Sequence, residues 1–178
     1  MIGGYLLYII FGQIIISMSN YRIREIELKD NLQVKQVVQS VLVEMGVPKV
    51  GTAYEDESLN DMYSEYDKPG HAYFVVEEND RIIGGAGIAP LANGDEKVCE
   101  LQKMYFLPEI RGKGAGAEMM HKCLNFAKEE GFEKCYLETM PYMEHAQKLY
   151  ARSGFTPLEG PLGDTGHYNC SVWMIKDL

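Results

Sequence analysis

With 178 residues, 46% hydrophobic and 24% charged, the chain has the composition of a soluble globular protein and is long enough for one domain to bury roughly 70% of its unfolded surface without disulfides or metal. A formal charge of -9 argues against a nucleic-acid partner, since such binding rests on basic patches that neutralise phosphates; it mildly favours a cationic substrate and equally serves solubility. Four cysteines, Cys99, Cys123, Cys135 and Cys170, lack Cys-x-x-Cys spacing and three fall in apolar runs, so they read as reduced core residues of a cytoplasmic protein.

The first stretch, residues 2–16 (IGGYLLYIIFGQIII), is almost wholly apolar but shorter than the roughly 20 residues a membrane-spanning helix requires. It also lacks the basic start and the small-x-small cleavage site of a secretory signal, the first Arg or Lys being Arg22. No membrane partner is expected. Met18 looks like a natural start, so residues 1–17 are read as an N-terminal extension outside a domain of residues 18–178. The alternative is an apolar arm that packs on the domain or on a second subunit.

From Tyr21 the chain alternates between strand and helix. Tyr21 to Ile26 reads as a short strand. Asp30 is a plausible N-cap for a helix whose apolar residues Val34, Val37, Val38, Val41 and Leu42 recur at helical spacing and which stops at Gly46. The segment from Val50 to Lys68 is acidic and tyrosine-bearing, with a short helix from Ser58 to Tyr66; it is either a lid over an acceptor pocket or a solvated surface helix. Three strands follow, Ala72 to Glu78, Arg81 to Leu91 and Lys97 to Phe106. The turn sequences Glu78-Asn79-Asp80 and Ala92-Asn93-Gly94-Asp95 make them consecutive antiparallel neighbours.

Next comes Met104 to Gly116, with Gly112, Gly114 and Gly116 at alternate positions between a strand-like run and a helical one. Without Cβ atoms the backbone there can approach a ligand, and a helix start presents unpaired N–H groups and the positive end of the dipole. Arg111 and Lys113 add charge, so the loop suits a diphosphate. Gly112-x-Gly114-x-x-Ala117, with Glu138 about 20 residues on, satisfies the loose dinucleotide fingerprint of an NAD-dependent oxidoreductase. The antiparallel strands upstream speak against it, because that fold needs parallel strands joined by helices.

Downstream, Ala117, Met120, Cys123, Leu124 and Ala127 place an apolar stripe on a helix that ends at Gly131. Glu133 to Thr139 is a strand reached by a right-handed crossover, hence parallel to the strand before the loop. Met143 to Ser153 is a second helix stopped by Gly154, residues 160–166 form a loop, and Ser171 to Ile175 closes the sheet.

That order resembles the GNAT superfamily of N-acetyltransferases. Leu107-Pro108-x-x-Arg111-Gly112-x-Gly114-x-Gly116 is similar to the family's coenzyme A loop, and Ala146-x-x-Leu149-Tyr150-x-x-x-Gly154-Phe155 to the motif that follows it; the likeness runs from Tyr21 to Leu178. The resemblance implies an α+β fold in three layers: a central mixed, mostly antiparallel twisted sheet with helices on both faces. It implies an acyltransferase that moves acetyl from acetyl-CoA, its cosubstrate, to a primary amine of a small molecule or peptide by direct transfer in a ternary complex. Dimers are common in the family, which leaves a homodimer open.

Residue by residue, the resemblance implies that two strands splay at a bulge, that backbone groups of Met104, Tyr105 and Phe106 bond the pantetheine arm and polarise the acetyl carbonyl, and that amides of Arg111, Gly112, Lys113, Gly114, Ala115 and Gly116 hold the pyrophosphate. Tyr150 stands where the family's general acid is found; otherwise it is one residue of an apolar helix face. Glu100 matches the place of a glutamate base, with ordered water or a plain surface carboxylate as alternatives. Many relatives carry asparagine where this chain has Met143, which puts that pantetheine contact in doubt. His167 is a candidate acceptor contact. His167-x-x-Cys170 and His121-x-Cys123 are isolated pairs, so no metal is expected. The non-enzymatic alternative is an acyl-CoA-binding module, which would keep the loop and tolerate loss of Tyr150.

Overall fold

A computed structural model describes residues 5–10, 13–18 and 20–178, the first two segments as backbone strands. β1 (Tyr5–Ile10) and β2 (Gln13–Met18) pair antiparallel in a two-stranded sheet of their own. The main sheet has seven strands: β3 (Arg22–Glu25), β4 (Ala72–Glu78), β5 (Arg81–Pro90), β6 (Val98–Phe106), β7 (Lys134–Thr139), β8 (Thr156–Leu158) and β9 (Val172–Asp177). Their spatial order is β3-β4-β5-β6-β7-β9-β8, and every pairing is antiparallel except β6 with β7.

β4 and β5 are buried on both faces, which is why they read as near-continuous apolar runs. On one face Tyr73, Val75 and Ala89 pack against Val34, Val37, Val38 and Leu42 of α1 (Asn31–Glu44) and against Met62 and Tyr66 of α2 (Met62–Tyr66). On the other, Phe74, Val76 and Ile88 meet Met119, Met120, Cys123 and Ala127 of α3 (Ala115–Glu129) and Tyr150 of α4 (Glu144–Arg152). α1 covers the sheet with the stripe its periodicity announced; in α3 Met120, Cys123, Leu124 and Ala127 do so, but Ala117 is exposed and Ala115 and Met119 are buried in its stead. The expected three-layer mixed sheet is the fold observed. Among the described residues no helix is long and apolar enough to cross a membrane.

The β4–β5 turn has Asn79 and Asp80 at φ 51° and 60°, the left-handed pair of a tight hairpin turn, as the Asn-Asp sequence suggests. In β5, a Cβ on Gly87 would come within 2.6 Å of the Tyr66 ring, so glycine here serves packing.

Three expectations are corrected. Asp30 precedes α1, but its side chain does not cap that helix. It accepts from the Glu27 amide at 2.8 Å and pairs with Arg24, which also pairs with the buried Glu77. A carboxylate 1% exposed needs a cation more than a helix start needs a cap, and the guanidinium supplies two donors. Residues 50–68 form no solvated helix: two 3-10 turns (Ala53–Glu55 and Glu57–Asn60) lead into α2, and Ala53, Leu59, Met62 and Tyr66 are buried. Finally, the last strand is internal. β9 inserts between β7 and β8, leaving the three-residue β8 at the edge.

Candidate active site

The site begins where two strands part. β6 and β7 pair in parallel at three positions, ending at Glu100 opposite Tyr136; beyond that β6 runs on to Phe106 beside β5, and β7 to Thr139 beside β9. The cause is a bulge. Gly85 and Gly87 of β5 face Tyr105 and Gln102, so β6 carries one extra residue, and Lys103 takes φ 49° to absorb it. The Leu107 amide donates to Ile83 O at 2.9 Å, and strand alternation then turns the amides of Met104 and Phe106 into the fork and that of Tyr105 toward β5. A cavity of about 890 Å³ occupies the fork and reaches the glycine loop; Glu100, Tyr105, Gly114, Glu138 and Tyr150 are among its lining residues.

The loop follows a 3-10 turn, Pro108–Ile110. Gly112 and Gly114 adopt φ 75° and 90°, and a Cβ on either would meet no protein atom within 4 Å. Their glycine identity is demanded by backbone conformation, and the space above them stays open. Gly114 caps α3: its carbonyl accepts from the amides of Ala117 and Glu118, while the first-turn amides of Ala115 and Gly116 have no acceptor within the helix. Gly116 plays a different part, since a Cβ there would lie 3.2 Å from Leu149 Cδ2; it lets α4 approach. Ala115 buries its methyl in the core, and Lys113 is exposed. The Arg111 guanidinium is committed elsewhere. Its Nε donates to Phe106 O at 2.8 Å, and its two terminal nitrogens bond both oxygens of Glu44 at 2.7 Å, holding that carboxyl below its ordinary range.

Tyr150 is 7% exposed, its ring 6.1 Å from that of Phe155, and its hydroxyl has no hydrogen-bond partner among the described residues. Burial pushes the phenol up to about 12, which keeps the proton on oxygen at neutral pH. Glu100, 3% exposed, accepts from Gln102 Nε2 at 2.7 Å, and Gln102 in turn accepts from the Tyr66 hydroxyl at 2.7 Å. Burial raises the Glu100 carboxyl, making it a stronger proton acceptor than an exposed one. Met143 is the N-cap residue of α4, and its sulfur accepts from Thr139 Oγ1 at 3.6 Å. Cys170, partly buried, packs against the α1-side core and also lines the cavity; burial pushes its thiol up to about 12, so it is no thiolate nucleophile at neutral pH.

Two residues that sequence reasoning passed over complete the site, Lys103 in the wall and Asp56 behind it. Lys103, on the bulge with its side chain 6% exposed, pairs with Asp56 at 2.6 Å, and His167 Nε2 lies 3.1 Å from the same carboxylate. Burial would raise Asp56, but the His167 hydrogen bond and the Lys103 charge outweigh it and hold it down at about 2. Burial would likewise lower His167, and the Asp56 bond reverses that and raises it. The signal for Lys103 was present: Gln102-Lys103 breaks the alternation of β6 where the bulge falls. Nothing local marks Asp56 among the many acids of its segment.

The fold and this cavity have known counterparts. The model of the acetyltransferase (GNAT) family matches residues 38–155. YjgM of Escherichia coli, described as an uncharacterized N-acetyltransferase, is 42% identical over 156 residues, which cover 87% of this chain and 93% of that one. A GNAT-family acetyltransferase of Staphylococcus aureus has a TM-score of 0.78 at 20% identity, covering 89% of this chain and 99% of its own. The structure of yncA, a putative acetyltransferase of Salmonella typhimurium, was solved with its cofactor acetyl-CoA; its TM-score is 0.71 at 19% identity, over 90% of this chain and 95% of that one.

Proposed function

Because the chain belongs to the GNAT family of acetyltransferases, we propose that it transfers the acetyl group of acetyl-CoA directly to a primary amine of a small molecule or peptide, in a ternary complex. One observation carries this reading: a single cavity joins the glycine cradle, the fork between β6 and β7, and the side chains of Tyr150 and Glu100. The residues fit the coenzyme. Gly112 and Gly114 keep open a space that any Cβ would enter, beside unpaired amides at the start of α3, which suits a diphosphate. The inward amides of Met104 and Phe106 suit an arm that lies along β6 as an extra strand would. Acetyl-CoA bound there supplies an acetyl group activated as a thioester.

The chain's own groups then handle the protons. Glu100, directly or through water, takes the proton that an ammonium must lose before its nitrogen can attack. The Phe106 amide polarises the carbonyl, and Tyr150 donates its phenolic proton to the departing sulfur as the amide bond forms and the thioester bond breaks. Direct transfer is favoured over an acyl-enzyme because the cavity's cysteine, Cys170, holds its proton. The dinucleotide reading has lost its footing, since β3 to β6 are antiparallel.

The test is thermal unfolding with acetyl-CoA, free CoA and NAD in parallel. A ligand at about 100 times its Kd adds about 2.7 kcal/mol, a shift of roughly 5–10 °C at this size. Both CoA species are expected to shift the transition and NAD to leave it unmoved. No shift with CoA would overturn the coenzyme assignment. Turnover by the Tyr150→Phe variant at the wild-type rate would overturn the acid role, whereas a CoA-dependent shift with no acetylation of any amine would favour a plain binding module.

A further inference from the structure

The acceptor half of the cavity carries both signs of charge, each with unused bonding capacity. Glu100 and Tyr136 are register partners on parallel strands, so Glu138, two residues past Tyr136, shares their face of the sheet. Each carboxylate spends one oxygen on the protein. Glu100 Oε2 accepts from Gln102, and Glu138 Oε1 accepts from the Tyr136 hydroxyl at 2.8 Å and from Thr165 Oγ1 at 3.0 Å. Among the described residues Glu100 Oε1 and Glu138 Oε2 have no donor, and both side chains line the cavity. The open oxygen of Glu100 is reachable from the cavity, where it can accept from water or from a ligand's N–H.

Lys103 and His167 line the same cavity. Lys103 uses one of its three ammonium donors on Asp56, and His167 uses Nε2 on Asp56, leaving Nδ1 without a partner among the described residues. Asp56 does not itself line the cavity. It therefore acts from behind, fixing two cationic groups whose remaining donors have no acceptor in the wall. A ligand that satisfies all four residues needs donors only at one end and acceptors only at the other.

We propose that the acceptor is a zwitterionic amine of the amino-acid class, its ammonium held by Glu100 and Glu138 and its carboxylate by Lys103 and His167. This rests on the acetyl-transfer reading and narrows it. A purely cationic amine would leave Lys103 and His167 unanswered and bring like charge toward them; an amine without charge elsewhere would leave the same two donors facing an apolar group.

The experiment measures CoA release from saturating acetyl-CoA with the common amino acids, each beside its own carboxamide and its decarboxylated amine. For the amino acids that are acetylated, kcat/KM is expected to exceed that of both analogues by about 10- to 100-fold, as suits loss of a charged hydrogen bond. Lys103→Met should erase that preference by raising KM for the amino acid while its acetyl-CoA affinity stays that of wild type. Glu138→Gln should raise KM for all three kinds of amine. Decarboxylated amines used as well as or better than amino acids by the wild-type enzyme would overturn the proposal and leave acetyl transfer standing; that comparison needs no variant to fold. Absence of any acetyl-CoA-dependent shift in unfolding would take both readings down together.

Discussion

The two ends of the cleft are built on different principles. The proposed coenzyme end is a contiguous stretch of backbone, residues 111–116, offering amides and positive-φ glycines, while its charged side chains point elsewhere: Arg111 to Glu44, Lys113 to solvent. The proposed acceptor end is made of side chains from four distant segments, with His167 and Asp56 lying 111 residues apart in sequence. Backbone recognition suits a ligand part that never changes, the diphosphate. Side-chain recognition can be altered one residue at a time, which suits the selection of an acceptor.

This contrast can be broken, first at the cradle. Gly114→Glu forces a side chain into φ 90° and puts a carboxylate where phosphate belongs, so acetyl-CoA affinity should fall at least about 100-fold. Calorimetric titration that finds affinity intact would remove residues 111–116 from the coenzyme site. Tyr150→Phe is next: kcat should drop about 100-fold with little change in acetyl-CoA affinity or stability, since the hydroxyl bonds nothing among the described residues. A stability loss with unchanged kcat would return Tyr150 to the core.

At the acceptor wall, Asp56→Asn should cost roughly 1–2 kcal/mol near pH 7, allowing for partial exposure. The sign follows from the shift. Asp56 sits at about 2 in the fold against an ordinary 3.8, so its contribution is present above pH 3.8 and fades as pH falls toward 2. His167 is raised above its ordinary 6.5, so its share is full below that pH and lost as pH climbs through the folded value. Denaturant unfolding across pH should show both dependences weakened in the variant; an unchanged pH profile would dissolve the triad. Glu44→Gln should cost about 0.5 kcal/mol or less, the pair being half-exposed, and should leave acetyl-CoA affinity within a factor of about 2. A large affinity loss would show that Glu44 positions the loop through Arg111. Smallest of all is removal of residues 1–17: β1 and β2 pair with each other and with no strand of the main sheet, so unfolding temperature should not move.

Much of the fold was legible because its signals are short-range. β4 follows the boundaries its apolar run and turns indicate, and the φ values of Asn79 and Asp80 answer to a two-residue turn. The region from Val50 to Lys68 was harder. Its acids mask Ala53, Leu59 and Met62, which are buried only because α1 and β4 happen to lie beneath them. Asp30 shows the same limit: as a residue before a helix it reads as a cap, and only the approach of Arg24 and Glu77 from neighbouring strands makes it half of a buried ion pair.

The sequence by itself determined the order of elements, the parallel crossover after the glycines and the placing of Tyr150 on a helix stopped by Gly154, since hydrogen bonds within a few residues and allowed φ values decide such things locally. Tertiary structure alone decided how far β6 and β7 part, which partner Arg111 takes, and that Asp56, Lys103 and His167 meet behind one wall. Those outcomes depend on charges and rings that find one another across long stretches of chain, where burial sets the strength of each contact and no local pattern records it.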